Sequence, residues 1–380
     1  MTAGIYIHVP FCRAKCDYCG FYSVPLEGAG DRPAVPDRYV RRLHDEIRER
    51  LPAAALSGAD TVYFGGGTPS LLDPEQVGGI LGLCAGCVAL APGAEVTIEM
   101  NPCDLSVEKL EGYREAGVNR AVLGVQTLSP RLHDLIGRSA AVCTVKDLDL
   151  FFGVPGLVLC ADLIAGTPTQ SAEELARDID IIAGYRPPHV SAYLLSIEKK
   201  TPLAARVAPD AALEAEQAAS FGTLAGRMKE HGYERYEISN YAFPGFESRH
   251  NMKYWLFEPY IGFGPGAHSF IGGERYINTM SAGEYCSDGS FVLEHDARTA
   301  RSAAVEYLLT GLRLMRGVSL RDMEARLSLH LPAAVLERIG QAALDGLIVT
   351  EGRRDSVIRL SDRGILLADR VIYSIVEPII

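Results

Sequence analysis

Six short β-branched runs, each followed by a helical pattern, constrain this chain more than any other feature of its sequence. The runs cover residues 5–9, 61–64, 96–99, 121–126, 157–164 and 190–195, and residues 38–51, 73–88, 107–116 and 172–183 between them read as helices. In the first of these helices Tyr39, Val40, Leu43, Ile47 and Leu51 fall on one face. Strand and helix alternating in this way predict an α/β fold, with parallel strands joined by crossover helices. The sheet is either doubly wound or curled towards a barrel, and periodicity does not choose between them. In both cases the chemistry belongs just beyond the carboxyl ends of the strands.

From about residue 300 the pattern changes. Helices over 302–315, 319–327 and 333–344, an alternating stretch over 347–360 and a further helix predict a small α+β domain. Ser319 with Asp322 has the spacing of a capping box, and a hairpin turn is expected within 352–355. The expected division is residues 1–240, a connecting segment over 241–295, and a last domain over 296–380. Its outline is compatible with a winged helix. Residues 301–380, however, hold 11 Arg against 10 acids, and the whole chain carries 37 Lys and Arg against 48 Asp and Glu, which argues against a nucleic-acid partner.

No apolar run reaches the roughly 18 residues of a membrane span, and the apolar tail is interrupted by Glu377 and Pro378. The start of the chain lacks a basic region ahead of an apolar one, so a cytoplasmic protein is expected, with peripheral membrane contact left open. Nine cysteines without framework spacing suggest a reducing compartment and thiols available to a metal.

Three of them follow the first strand as Cys12-Arg-Ala-Lys-Cys16-Asp-Tyr-Cys19. A structural zinc ion wants four ligands, and this loop offers no histidine and no fourth cysteine. Three thiolates suit a cubane cluster with one iron left open. A zinc site completed by a distant cysteine stays as the alternative. The second strand runs into Gly65-Gly66-Gly67-Thr68-Pro69, where glycines permit close backbone approach to a ligand; with no Gly-Lys-Ser/Thr this is not a P-loop. Glu99, Gln126 and Asp162 stand at or near the ends of strands three to five, and Arg138 follows Ile136-Gly137, where a guanidinium could take a carboxylate bidentately.

The CxxxCxxC spacing and the GGGTP element resemble the radical S-adenosylmethionine (SAM) superfamily. That resemblance implies an incomplete (β/α)6 barrel followed by a small α+β C-terminal domain. It also implies a [4Fe–4S] cluster on Cys12, Cys16 and Cys19 whose open iron SAM chelates, an electron from the cluster splitting SAM to a 5′-deoxyadenosyl radical. Tyr6, Gly66, Gly67, Thr68, Glu99, Gln126, Arg138 and Asp162 match the family's SAM-contacting positions.

The segments Tyr6-Ile-His-Val-Pro-Phe-Cys12, Tyr236-Glu-Ile-Ser-Asn-Tyr-Ala242 and His250-Asn-Met-Lys-Tyr-Trp255 narrow the resemblance. They resemble the branch holding oxygen-independent coproporphyrinogen III dehydrogenase and the heme chaperone HemW. The dehydrogenase usually carries a fourth cysteine where this chain has Phe21, and a longer segment ahead of the cluster motif; both features favour the chaperone. Gly20 departs from the aspartate common there among HemW sequences. The resemblance implies heme as a further ligand, contacted by His250, Asn251, Tyr254 and Trp255, and heme-accepting proteins such as respiratory enzymes as partners. From the residues alone, the bland alternative is an aromatic segment docked on the barrel with His250 merely hydrogen-bonded. The competing functions are radical decarboxylation of coproporphyrinogen III and a radical SAM reaction on another substrate. Cys84 and Cys87 read as ordinary thiols of an apolar helix, and His268 as a turn histidine that could serve as a second heme ligand.

Overall fold

The computed structural model describes residues 2–26, 35–138, 141–287, 289–352 and 356–380. Six parallel strands, β1 (Thr2–Val9), β2 (Gly58–Gly66), β3 (Leu90–Met100), β4 (Arg120–Gln126), β5 (Val158–Ala165) and β6 (His189–Leu194), lie side by side in chain order. They are joined by α1 (Asp37–Ala53), α2 (Pro74–Cys87), α3 (Val107–Glu115), α4 (Pro130–Leu135), α5 (Val145–Phe152) and α6 (Ala172–Gly184). A doubly wound sheet reverses its order midway, whereas this one never does. Crossovers of one hand then place every helix on one face, and the sheet curls towards a barrel.

The helices form where the sequence caps them and buries one face. Asp73 with Gln76 and Ser171 with Glu174 make reciprocal capping boxes on α2 and α6. On α1 the buried positions are Tyr39, Leu43, Glu46, Ile47 and Leu51. Glu46 is fully buried and holds α1 to a distant part of the chain: it accepts from Tyr285 Oη (2.6 Å), Asn278 Nδ2 (2.7 Å) and the Gly264 amide (2.8 Å), and pairs with Arg50.

The barrel does not close. Beyond β6 the sheet continues antiparallel through Asn240–Ala242 and Glu234–Arg235. On the other side β1 pairs in parallel with β7 (Tyr260–Phe263), followed by antiparallel β8 (His268–Ile271), β9 (Glu274–Asn278) and β10 (Val292–Ala297). The stretch anticipated as a connecting segment thus supplies four strands of the main sheet. β8 and β9 meet at Gly272-Gly273, both with positive φ, as a two-residue hairpin turn requires.

After α7 (Ala211–Glu230) and α8 (Arg249–Trp255), a second hydrophobic cluster forms around Leu308, Leu312, Met323, Val335, Ile358 and Ile375. It joins α9 (Ala300–Gly311), α10 (Leu320–Leu327), α11 (Ala333–Leu344) and α12 (Ala368–Val376) to the sheet β11 (Val318–Ser319), β12 (Ile348–Glu351) and β13 (Val357–Leu360). Ser319 accepts the Asp322 N–H at 3.2 Å, the capping half of the anticipated box. The hairpin turn expected there falls largely on residues 353–355, outside the described residues. Among the described residues no helix is long and apolar enough to cross a membrane.

Candidate cofactor site at the carboxyl end of the barrel

Past β1 the chain enters the thiol loop, which backbone bonds clamp at both ends. Val24 N–H donates to Pro10 O (2.7 Å) and Leu26 N–H to Cys12 O (2.9 Å), while Asp17 N–H reaches Ile136 O (3.1 Å). Gly137, with φ of +65°, admits Asp17 where a Cβ would stand 2.3 Å from its carboxyl carbon.

The loop roofs a cavity of about 560 Å³. Its lining brings together Cys12, Cys16, Cys19, Gly66, Gly67, Thr68, Glu99, Gln126, Arg138 and Asp162, which the sequence had pointed to separately. Tyr6 lies deeper, off the lining, its hydroxyl 3.0 Å from His8 Nδ1.

A polar chain connects two of the thiols. Thr68 Oγ1 donates to Cys12 Sγ (3.5 Å) and accepts from Asn101 Nδ2 (2.9 Å). Asn101 Oδ1 in turn accepts from Arg138 Nη2 (2.8 Å), and Arg138 Nη1 donates to Cys16 Sγ (3.6 Å). Burial pushes the Cys12 and Cys19 thiols up from their ordinary range. Among the described residues no three ligating side chains converge on a single ion position. A cubane does not require that, since each thiolate takes a different iron.

Against the thiol loop itself, Gly66 has φ of +113°, and a Cβ on Gly67 would meet Phe11 O at 2.7 Å and Cys12 Sγ at 3.0 Å. Gln126 is held at φ of +67° beside a register shift in β4, backbone strain of the kind that gathers at functional sites. Burial and their mutual charge raise Glu99 to about 7, and burial raises Asp162 to about 6. Asp162 Oδ1 has no protein partner. Thiols, exposed backbone at a glycine pair and two raised carboxyls, one with an orphan oxygen, fit a thiolate-held cluster beside a small polar cation.

The sequence reading missed the support beneath the loop. Arg13 Nε and Nη2 both reach Asp104 Oδ1 (2.9 and 2.6 Å), and Ser70 Oγ donates to Asp104 Oδ2 (2.9 Å). It also missed Tyr63, whose hydroxyl donates to Glu99 Oε1 at 2.7 Å; the alternation of Thr61, Tyr63 and Gly65 along β2 was the available signal. Gly20 has a physical reason, because a Cβ there would stand 2.9 Å from Glu198 Cγ and an aspartate would add like charge.

The structure does not bring His250, Asn251, Tyr254 and Trp255 to this cavity. The His250 imidazole is buried inside the barrel, Nδ1 2.8 Å from Thr61 Oγ1 and Nε2 2.9 Å from Tyr254 Oη, leaving neither nitrogen for iron. Burial pushes it down to about 3, so it stays neutral. Trp255 lies under the Arg313 guanidinium, 5.6 Å from the ring centroid. His268 sits at the exposed start of β8, and Cys84 is buried on α2.

Residues 6–182 match the family model of the radical SAM superfamily. The heme chaperone HemW of Mycobacterium tuberculosis is 36% identical, the alignment covering 98% of this chain and 94% of that protein. HemW of Bacillus subtilis is 32% identical over 96% of this chain and 97% of that protein. The solved structure of Escherichia coli coproporphyrinogen III oxidase (HemN), a radical SAM enzyme, superposes with a TM-score of 0.82 over 98% of this chain and 89% of that one. At 20% identity this shows a shared fold.

Proposed function

Because this chain belongs to the HemW family of the radical SAM superfamily, we propose that it is a heme chaperone that binds heme and hands it to acceptor proteins. In this reading Cys12, Cys16 and Cys19 hold a [4Fe–4S] cluster, and the cavity below holds SAM. When bound, the cluster supplies an electron and SAM the sulfonium centre able to receive it.

The chain's own residues do the rest. Thr68 donates to Cys12 and Arg138 to Cys16, bonds that orient the two sulfurs. Gly66 and Gly67 let backbone approach the cofactor, and Glu99 and Asp162 face it as acceptors for cationic and hydroxyl groups. Arg13 and Asp104 keep the thiol loop in place.

What supports chaperone over decarboxylase is the near-full-length likeness to HemW, 36% identical over 98% of this chain, against a likeness to HemN that is 20% in sequence. Phe21 stands 71% exposed at the mouth, where the dehydrogenases carry a cysteine. Heme ligation by His250 would break two buried hydrogen bonds, so the heme assignment rests on the family and not on that imidazole.

The test is anaerobic. Protein with a spectroscopically verified cluster is given reductant, SAM and coproporphyrinogen III, and separately titrated with heme. Stoichiometric heme uptake without protoporphyrinogen supports the chaperone; multiple turnovers to protoporphyrinogen refute it.

A further inference from the structure

Beneath the cavity the barrel holds a column of side chains that no sequence motif connects. Tyr63 points inward from β2, its hydroxyl on Glu99 and its ring stacked on the His250 imidazole, centroids 5.0 Å apart and planes 27° apart. Tyr6 lies alongside at 6.2 Å. His250 is itself fixed by Thr61 and Tyr254, so the Tyr63 ring is pinned from below while its one polar atom serves a carboxylate open to the cavity above. Lateral freedom is small, because a Cβ on Gly65 would stand 3.0 Å from both the Tyr6 and Tyr63 rings and 3.3 Å from Glu99 Oε1.

We infer that Tyr63 is a positioning residue for Glu99, holding its carboxylate in the orientation and charge state in which it receives SAM. The inference rests on the reading of the cavity as a SAM site. Around Glu99 stand Asp162 from β5, Tyr193 from β6, Tyr6 from β1 and Tyr254 from α8. Against burial and the like charge of Asp162, the Tyr63 hydroxyl and the Gly66 amide are the hydrogen bonds that favour the ionised form.

Tyr63→Phe keeps the ring and its stack and removes only the hydroxyl. Losing one hydrogen bond to a carboxylate shifts its protonation equilibrium by about tenfold, or roughly one pH unit. SAM binding to cluster-loaded protein, measured by equilibrium dialysis across the neutral range, should weaken on acidification in the wild type. In Y63F that fall should move up by about one pH unit, in E99Q it should vanish, and Y63F/E99Q should match E99Q. The cluster absorbance reports that each variant is folded. An unchanged profile in Y63F with an intact cluster overturns the role of Tyr63. No SAM binding by the wild type at any pH overturns instead the cofactor reading beneath it.

Discussion

Gly67→Ala puts the geometry of the thiol loop to a quantitative test. The new Cβ would stand 2.7 Å from the Phe11 carbonyl oxygen, about 0.7 Å inside ordinary contact, and 3.0 Å from Cys12 Sγ and the Pro10 carbonyl carbon. Two of these three neighbours are backbone and cannot rotate away. The exits of β1 and β2 must part, stretching the bond from the Gly67 amide to Val9 O (2.8 Å). Overpacking of this kind costs about 2–3 kcal/mol, and the displacement falls on Cys12, which a cubane cannot spare. Gly82→Ala is the matched control: Gly82 lies within α2 with nothing inside 4 Å of its added Cβ, and helix propensity favours alanine by about 1 kcal/mol. Chemical denaturation of the apo protein and iron content after anaerobic reconstitution give the two readouts. G67A should lose stability and most of its iron, while G82A should gain stability and keep its iron. Wild-type stability with full iron in G67A would refute the argument.

Two further outcomes follow from buried charge. Glu99 rises from an ordinary 4.5 to about 7 on folding, so the folded chain holds its proton more tightly than the unfolded chain, and stability falls as pH rises between those values. E99Q should therefore stabilise the apo protein above neutrality by up to about 3 kcal/mol and have little effect below pH about 4, as denaturation midpoints at the two pH extremes would show; equal midpoints at high pH would contradict the burial argument. Arg13→Ala removes the two guanidinium bonds to the Asp104 carboxylate, whose side chain is 1% exposed, leaving it the Ser70 hydroxyl and the charge of Lys109. It should cost about 1–3 kcal/mol and speed iron release to a chelator, and an unchanged release rate would remove Arg13 from the support of the loop.

The six parallel strands were legible because strands buried on both faces leave near-continuous apolar runs, as β1 and β4 do. β10 was not, since its six residues are almost all exposed and carry no hydrophobic pattern to read. The lining of the cavity was legible because its residues follow strand ends in a recognisable order. Its supports were not: Arg13 meets Asp104 across 91 residues and Tyr63 meets Glu99 across 36, and no local spacing records such pairs. His250 is a further case of a distant partner that local spacing does not record. Thr61, 189 residues away, holds one of its nitrogens.

The packing of His250, Tyr254, Thr61 and Tyr63 behind Glu99 gives the cavity a filled floor, making it a blind pocket whose exposed rim carries Phe21 and Glu198. A blind pocket imposes a sequence on its occupants. Whatever lies against Glu99 and Asp162 must arrive before anything that settles at the rim near Phe21 and Glu198, and must leave after it. A molecule held at the rim would therefore slow the exchange of a bound cofactor for a labelled one, acting as a latch on its residence time, even where the two make no direct contact.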